Sequence, residues 1–303
     1  MPRSSKKELS TKPTPRVSVI MSTFREVSDG LLADGTDSQL SKAIQSVIHQ
    51  TLSDWELFVV SDHPPEADRV KIKKLASRLT DPRIKFADLP QRSGLDGIGI
   101  APKRLAMEKA NGDLVAFLDA DNEWMPDHLE RAVEVFDRDK ATELVYCDSV
   151  VRMVKTPWGS TQLERIVESV LFQPETLAPM RGEEFRWRKP DWDIEARMKL
   201  ERYNYIDMSE PVIRMDRFKA TGGFHSAIKT DWDLWRSLLN HGVNRFVHSD
   251  HIGLILRAAS LKQHRQLFLL SQIHSLGFPF DMRRHEEGRE AERQADYIAK
   301  HGA

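Results

Sequence analysis

A single cysteine, Cys147, in 303 residues rules out an intrachain disulfide framework and a zinc site of several cysteines. A reducing, cytoplasmic setting fits that scarcity. Long apolar runs are missing as well: none approaches the ~18 residues of a membrane-spanning helix. The expectation is therefore a soluble chain, at most peripheral to a membrane. Residues 1–16 are polar and basic where a secretory signal needs an apolar core. Nor is there an excess of charge of one sign. Lys and Arg number 45 against 46 Asp and Glu, a net charge of −1, which weighs against a broadly basic nucleic-acid binder. Length is what the chain does have: it exceeds the roughly 250 to 300 residues at which one core usually stops growing.

Met1–Pro15 carries four basic residues, three prolines and no apolar periodicity, and reads as a disordered basic tail. The texture changes at Val17. The β-branched run Val17–Met21 reads as a buried strand of a parallel sheet, ending at Ser22-Thr23. Leu40, Ala43, Ile44, Val47 and Ile48 recur at helical spacing behind the cap candidates Asp37 and Ser38. Strands are then expected at Trp55–Val60, Arg83–Ala87, Leu114–Leu118 and Leu144–Cys147. Helices are expected over 66–79, over Pro102–Ala110 and from Pro126 to about Asp137. Such alternation predicts an α/β fold, a mostly parallel central sheet flanked by helices. Residues 155–200, rich in Pro and Gly, read as loops. Asp216 is expected to cap a short helix ending at Gly222-Gly223, and Thr230 another through Leu239 closed by Gly242. The last forty residues read as an apolar helix (Leu267–Leu276) and a charged one (Arg283–Lys300), a C-terminal helical extension.

In open α/β sheets, ligands sit outside the carboxyl ends of the strands. That rule selects Ser22-Thr23, Asp62 and Asp119–Asp121. The segment Leu114-Val115-Ala116-Phe117-Leu118-Asp119-Ala120-Asp121-Asn122-Glu123-Trp124 brings two alternate carboxylates to the end of an apolar strand. There a hard divalent cation can bridge them to phosphate oxygens.

In these segments the chain resembles the family two glycosyltransferases of the GT-A fold, from about Arg16 to Arg257. Val17–Phe24 is similar to the family's opening strand, Ala43–Thr51 to its first helix, and Trp55–Asp62 to its second strand with the nucleotide-contacting aspartate. Asn111–Trp124 is similar to its metal-bearing segment. Gly222-Gly223-Phe224 followed by Thr230-Asp231-Trp232-Asp233-Leu234-Trp235 resembles the acceptor-side segment. The resemblance implies an inverting hexosyltransferase-like enzyme that uses a nucleotide diphosphate sugar, with uridine diphosphate the expected nucleotide, and Mg²⁺ or Mn²⁺. Thr23 and Asp62 would contact uracil and ribose, with Ser22, Phe24 and Ala120 beside them. Arg104 would approach the base or phosphates, Asp119 the ribose or the metal, and Asp121 would ligate the metal.

On the acceptor side the resemblance implies Asp231 as general base for the acceptor hydroxyl, since a weakly acidic hydroxyl needs a positioned carboxylate. Asp233 is its rival, but two helical positions away it faces elsewhere, and Asp231 is favoured. Gly222, Gly223, Trp232 and Trp187 complete the acceptor or donor-sugar candidates, aromatic faces being suited to stacking on sugars. The segment 181–202 interleaves aromatic and basic residues, yet its charges nearly balance, which favours a loop over the active site and disfavours nucleic acid.

Three departures from the family pattern stand out. The loop from Arg25 to Asp37 is long and reads as a lid or a tolerated insertion, the insertion being favoured. Ser61-Asp62 stands where many members have two aspartates. Ala259 occupies the place of a metal-completing histidine, leaving His251 and His264 as weak substitutes. The expected organisation is a tail at 1–15, a nucleotide-sugar half at 16–150, an acceptor half at 151–260 and helices at 261–303, the last offering a surface for a homodimer. A phosphotransferase with Asp-Xaa-Asp at its first strand, a nucleotidylyltransferase with a Gly-rich first loop, and a degenerate binding module remain as alternatives. The sugar and the acceptor, whether saccharide, lipid-linked sugar, protein or small molecule, are not legible.

Overall fold

The computed structural model describes residues 14–24, 38–93, 99–153, 177–179, 184–202 and 204–258. The basic tail before residue 14, the 25–37 loop, Ala259, His264 and both expected C-terminal helices, with the dimer surface assigned to them, lie outside those residues.

The chain opens as β1 (Val17–Thr23), α1 (Gln39–Ile48), β2 (Trp55–Ser61), α2 (Glu66–Arg78), β3 (Ile84–Asp88), α3 (Ile100–Met107) and β4 (Leu114–Phe117). β5 (Glu123–Trp124), α4 (His128–Arg138), β6 (Leu144–Met153), β7 (Leu177–Pro179) and β8 (Glu184–Trp187) follow. α5 (Ile194–Arg202), β9 (Val212–Arg214), α6 (Met215–Ala220), α7 (Asp231–Asn240) and β10 (Phe246–Ala258) close it. Among the described residues the strands form one sheet in the order β3-β2-β1-β4-β9-β6-β10-β5, with β8 also paired to β6 and β7 to β8. β3, β2, β1 and β4 run parallel. β9 enters antiparallel between β4 and β6, and β10 returns parallel to β6.

Side-chain alternation sorts the apolar residues onto the two faces of this sheet. Ile20, Phe58, Val60, Val115 and Phe117 pack with Leu200, Phe218, Trp232 and Trp235 on the side of α5, α6 and α7. Val19, Met21, Leu57, Val59, Leu114 and Ala116 pack with Leu40, Ile44, Leu129 and Phe136 on the side of α1 and α4. Strands apolar on both faces explain why β1, β2 and β4 read as near-continuous hydrophobic runs.

Several boundaries differ from the sequence reading. The Ser38 hydroxyl caps α1, accepting from the Ser41 N–H at 3.2 Å. α3 starts at Ile100 and α4 at His128, with Pro126 in the preceding turn. Asp216 is no cap: Arg214 occupies that position without a side-chain bond, and Asp216 lies in the first turn. The 155–200 region, read as loops, contains β7, β8 and the helix α5. β6 runs on past Cys147 to Met153 although Asp148 and Ser149 interrupt its apolar pattern. These polar groups are satisfied within the protein. Asp148 accepts from Arg186 Nε at 2.9 Å and from the Lys189 N–H at 2.8 Å, and His248 Nε2 lies 2.9 Å away. Ser149 donates to Glu210.

Candidate active site

The carboxyl ends of β1, β2 and β4 converge on one rim of the sheet. Thr23 is paired in register with Ser61, and the Asp62 N–H donates to the Thr23 carbonyl at 2.9 Å, so Thr23 and Asp62 are neighbours. Both are buried. Ser93 engages both oxygens of the Asp62 carboxylate, its N–H donating to Oδ1 and its hydroxyl to Oδ2, each at 2.8 Å. Phe24 lies under the Arg92 guanidinium, 3.8 Å from the ring centroid. Ser22 faces the entrance of α3: Gly99 has φ 65°, and a Cβ there would fall 2.6 Å from Ser22 Oγ. Only glycine accommodates both the left-handed backbone and that approach.

Beyond β4 the chain turns sharply, the Asn122 N–H donating to the Asp119 carbonyl at 3.0 Å. This turn, containing Ala120, is stitched to Ser209. The Ser209 hydroxyl accepts from the Asp119 N–H at 3.2 Å and from Asn122 Nδ2 at 3.0 Å, and the Ser209 carbonyl accepts from Trp124 Nε1 at 2.7 Å. The loop before β9 thereby delivers a third carboxylate, Asp207. Dense surrounding protein, then the charges of Asp119 and Asp207, raise the Asp121 carboxyl to about 7, though water still reaches it. Clustered oxygen ligands that resist ionisation together suit a hard divalent cation, whose charge would reverse that rise. Asp119 is partly neutralised already. Lys103, fully buried on α3, donates from Nζ to Asp119 Oδ1 at 3.2 Å. Asp121 is the carboxyl of the three whose pKa rise an added cation would reverse.

Lys103, Ser93 and Asp207 escaped the sequence reading. Arg104, chosen from α3 instead, is exposed and donates from Nε to the Phe224 carbonyl. It tethers α3 to the turn that contains Gly222 and Gly223, which have φ values of 81° and 57°.

At the head of α7 the two rival aspartates part. Asp233 is committed to the helix cap: its Oδ2 accepts from the N–H groups of Lys229 and Thr230 and from the Thr230 hydroxyl, each at 3.1 Å. Asp231 is half-buried and takes a hydrogen bond from the adjacent Trp232 N–H at 2.9 Å. Trp232, a weak acceptor-side candidate that its helical spacing with Trp235 equally suits to the core, packs inward. Its ring is in the core, and its Nε1 donates to the Leu200 carbonyl at 2.6 Å. Trp187 is partly exposed, with the Lys189 ammonium 2.9 Å from its ring centroid. His251 belongs to a different neighbourhood, beside His128 and Cys147. Arg257 holds the Asn122-Glu123 segment in place through Glu123 and through its N–H, which donates to Asn122 Oδ1 at 3.2 Å.

A parallel α/β sheet with an antiparallel return, and a carboxylate cluster outside β4, define a nucleotide-sugar transferase architecture, the GT-A fold. A sequence model of Glycosyl transferase family 2 matches residues 18–195, more than half of the chain, and the protein belongs to that family. An uncharacterized glycosyltransferase of Nostoc sp. is 40% identical over 99 residues, 32% of this chain and 28% of the relative. The UDP-Glc:alpha-D-GlcNAc-diphosphoundecaprenol beta-1,3-glucosyltransferase WfgD of Escherichia coli is 29% identical over 119 residues, 39% of this chain and 40% of the enzyme. The matches thus span less than half the length of these curated relatives. Among solved structures, S. aureus TarS 1-349 in complex with UDP-GlcNAc aligns over 81% of this chain and 59% of its own, with a TM-score of 0.52 and 17% identity. The mannosyltransferase PcManGT of Pyrobaculum calidifontis, in complex with GDP-Man and Mn²⁺, aligns over 96% and 77%, with a TM-score of 0.52 and 16% identity. At these identities the likeness is one of fold. No helix among the described residues is long and apolar enough to cross a membrane.

Proposed function

We propose that the chain transfers a hexosyl group from a nucleotide diphosphate sugar to an acceptor hydroxyl with inversion, Asp231 being the general base. The observation that supports the assignment is the engagement of Asp233 in the α7 cap, which counts against Asp233 as the base and favours Asp231, two positions earlier on the same helix. The acceptor oxygen forms a bond to the anomeric carbon as the bond to the diphosphate oxygen breaks on the opposite face, and the hydroxyl proton passes to Asp231. Thr23 and Asp62 bind the base and ribose, Ser93 fixing the Asp62 carboxylate. Uridine is the preferred nucleotide, consistent with the UDP-sugar named for WfgD and bound in the TarS complex. Mg²⁺ or Mn²⁺ held by Asp121, with Asp119 and Asp207 beside it, would supply the positive charge that stabilises the departing diphosphate.

Calorimetric titration with UDP and GDP, with and without Mn²⁺, tests the donor half. Mn²⁺-dependent binding that prefers UDP and is lost in Asp121→Ala is the expected result. Absence of binding to either diphosphate would leave a degenerate module.

A further inference from the structure

A second cluster of ligand-type side chains involves none of the residues assigned to sugar transfer. His128 opens α4, Cys147 lies on β6 and His251 on β10, and one donor atom from each falls within 4.8 Å of the others. The β-ladder explains how His251 arrives. Ser249 pairs with Cys147 and Ile252 with Asp148, so Asp250 and His251 are extra residues in a bulge. Bulges re-aim side chains in this way. His251 Nδ1 lies 2.9 Å from the Ser249 hydroxyl, which turns Nε2 inward. That Nε2 is buried and has no hydrogen-bond partner among the described residues, and the same is true of His128 Nε2. His128 is fully buried, stacked on Trp124 at 4.7 Å between ring centroids, with Nδ1 3.7 Å from Cys147 Sγ. Gly253 keeps the space open: a Cβ there would lie 2.4 Å from His128 Nδ1, 2.6 Å from Cys147 Sγ and 3.2 Å from His251 Nε2.

We propose that His128, Cys147 and His251 bind a zinc-type transition-metal ion that pins α4 to the β6–β10 pair. One thiolate and two imidazoles form a soft, nitrogen-rich donor set that favours Zn²⁺ or Co²⁺ over Mg²⁺ and Mn²⁺. Tetrahedral zinc, with bonds of about 2.0 to 2.3 Å, places its ligands roughly 3.3 to 3.8 Å apart. The His128–Cys147 separation of 3.7 Å already matches one edge, and the remaining edges, all within 4.8 Å, need to close by at most about 1.5 Å. Water completes the shell from the side of half-exposed His251 and solvent-facing Asp250. Burial, then the nearby His251, lower His128 to about 3, and burial lowers His251, so both rings are neutral and ready to ligate. The ligand form of Cys147 is the thiolate, so binding displaces the thiol proton, which passes to solvent.

The test is optical titration of the chelator-stripped full chain with Co²⁺ in excess Mg²⁺. The expected result is a thiolate-to-cobalt charge-transfer band with four-coordinate visible bands, saturating at one equivalent and bleached by Zn²⁺. Cys147→Ser should remove the charge-transfer band. His251→Ala, at a half-exposed bulge position that leaves the fold intact, should weaken Co²⁺ binding at least ~10-fold. Asp121→Asn should keep the full spectrum whatever becomes of sugar transfer, which separates this site from the proposed catalytic one. No thiolate band in the native chain, or undiminished binding by His251→Ala, would overturn the proposal and leave a buried thiol packed against neutral imidazoles.

Discussion

Thr230 and Asp233 hold each other across the first turn of α7: Thr230 Oγ1 accepts from the Asp233 N–H at 3.1 Å, and Asp233 Oδ2 accepts from the Thr230 N–H at 3.1 Å. This reciprocal capping box satisfies donors that the helix start would otherwise leave open. It separates two carboxylates that look equivalent in Thr230-Asp231-Trp232-Asp233. Asp233→Ala is expected to lower stability by about 0.5 to 2 kcal/mol, with a modest effect on turnover. Asp231→Asn should leave the unfolding midpoint near native and reduce kcat by roughly 10²- to 10⁴-fold. Denaturant unfolding paired with sugar-transfer kinetics reads both, and native turnover in Asp231→Asn would remove the base assignment.

Gly99 joins β1 to α3 through its contact with Ser22, and α3 carries Lys103 to Asp119. Gly99→Ala places an L side chain in left-handed backbone and against Ser22. A loss of about 1 to 2 kcal/mol follows from the backbone alone. Because the collision pushes on Ser22 and the start of α3, KM for the donor should rise more than kcat falls. Thermal unfolding and donor-saturation kinetics measure the two effects.

The parts legible in sequence are those whose chemistry is local. β1, β2 and β4 are buried on both faces and therefore write themselves as apolar runs ending in Thr23, Asp62 and Asp119. Residues that reach the rim from elsewhere carry no such mark. Lys103 and Arg104 are adjacent cations on one short helix, and nothing in their spacing tells that Lys103 turns into the rim while Arg104 reaches the Phe224 carbonyl. Asp207 and Ser209 belong to an irregular loop whose position follows from the antiparallel insertion of β9 between β4 and β6. In sequence β6 stops at Cys147 because Asp148 and Ser149 look like a strand end, and their partners Arg186, Lys189, Glu210 and His248 are 38 or more residues away. Polar residues satisfied by long-range partners are the common cause of these differences.

His248 links this network to pH. Burial alone would depress its pKa, but Asp148 at 2.9 Å and Asp191 at 2.8 Å outweigh that and hold it above the ordinary histidine value. A group whose folded pKa is raised contributes stability in full below the unfolded value, near 6.5, and loses it as the pH rises through the folded value. The native chain should therefore become less stable from about pH 6 to pH 8.5 by more than His248→Gln does. Urea midpoints for the two chains across that range provide the comparison. Parallel pH profiles would show that the pairing contributes nothing.

Lys189 and Glu210 are both fully buried, with Nζ 2.9 Å from Oε1. Burial raises the Glu210 carboxyl to about 7 while Lys189 opposes the rise, and burial lowers Lys189. Trp187 lies against the ammonium and Ser149 donates to the carboxylate, but each is the other's charged partner at the pair, so the loss of one strands a buried charge. Lys189→Met alone is expected to destabilise the chain by about 3 to 5 kcal/mol. Adding Glu210→Gln removes the stranded charge and should recover a large part of that loss, a coupling that a double-mutant cycle isolates. The pair also has a functional side, since Glu210 follows Ser209, which holds the Asp119–Asn122 turn. If the pair is what keeps the 207–210 loop in register, Lys189→Met should weaken Mn²⁺-dependent UDP binding together with stability, and the double variant should restore both. Additive effects in the cycle would mean that the two residues are neighbours without being partners.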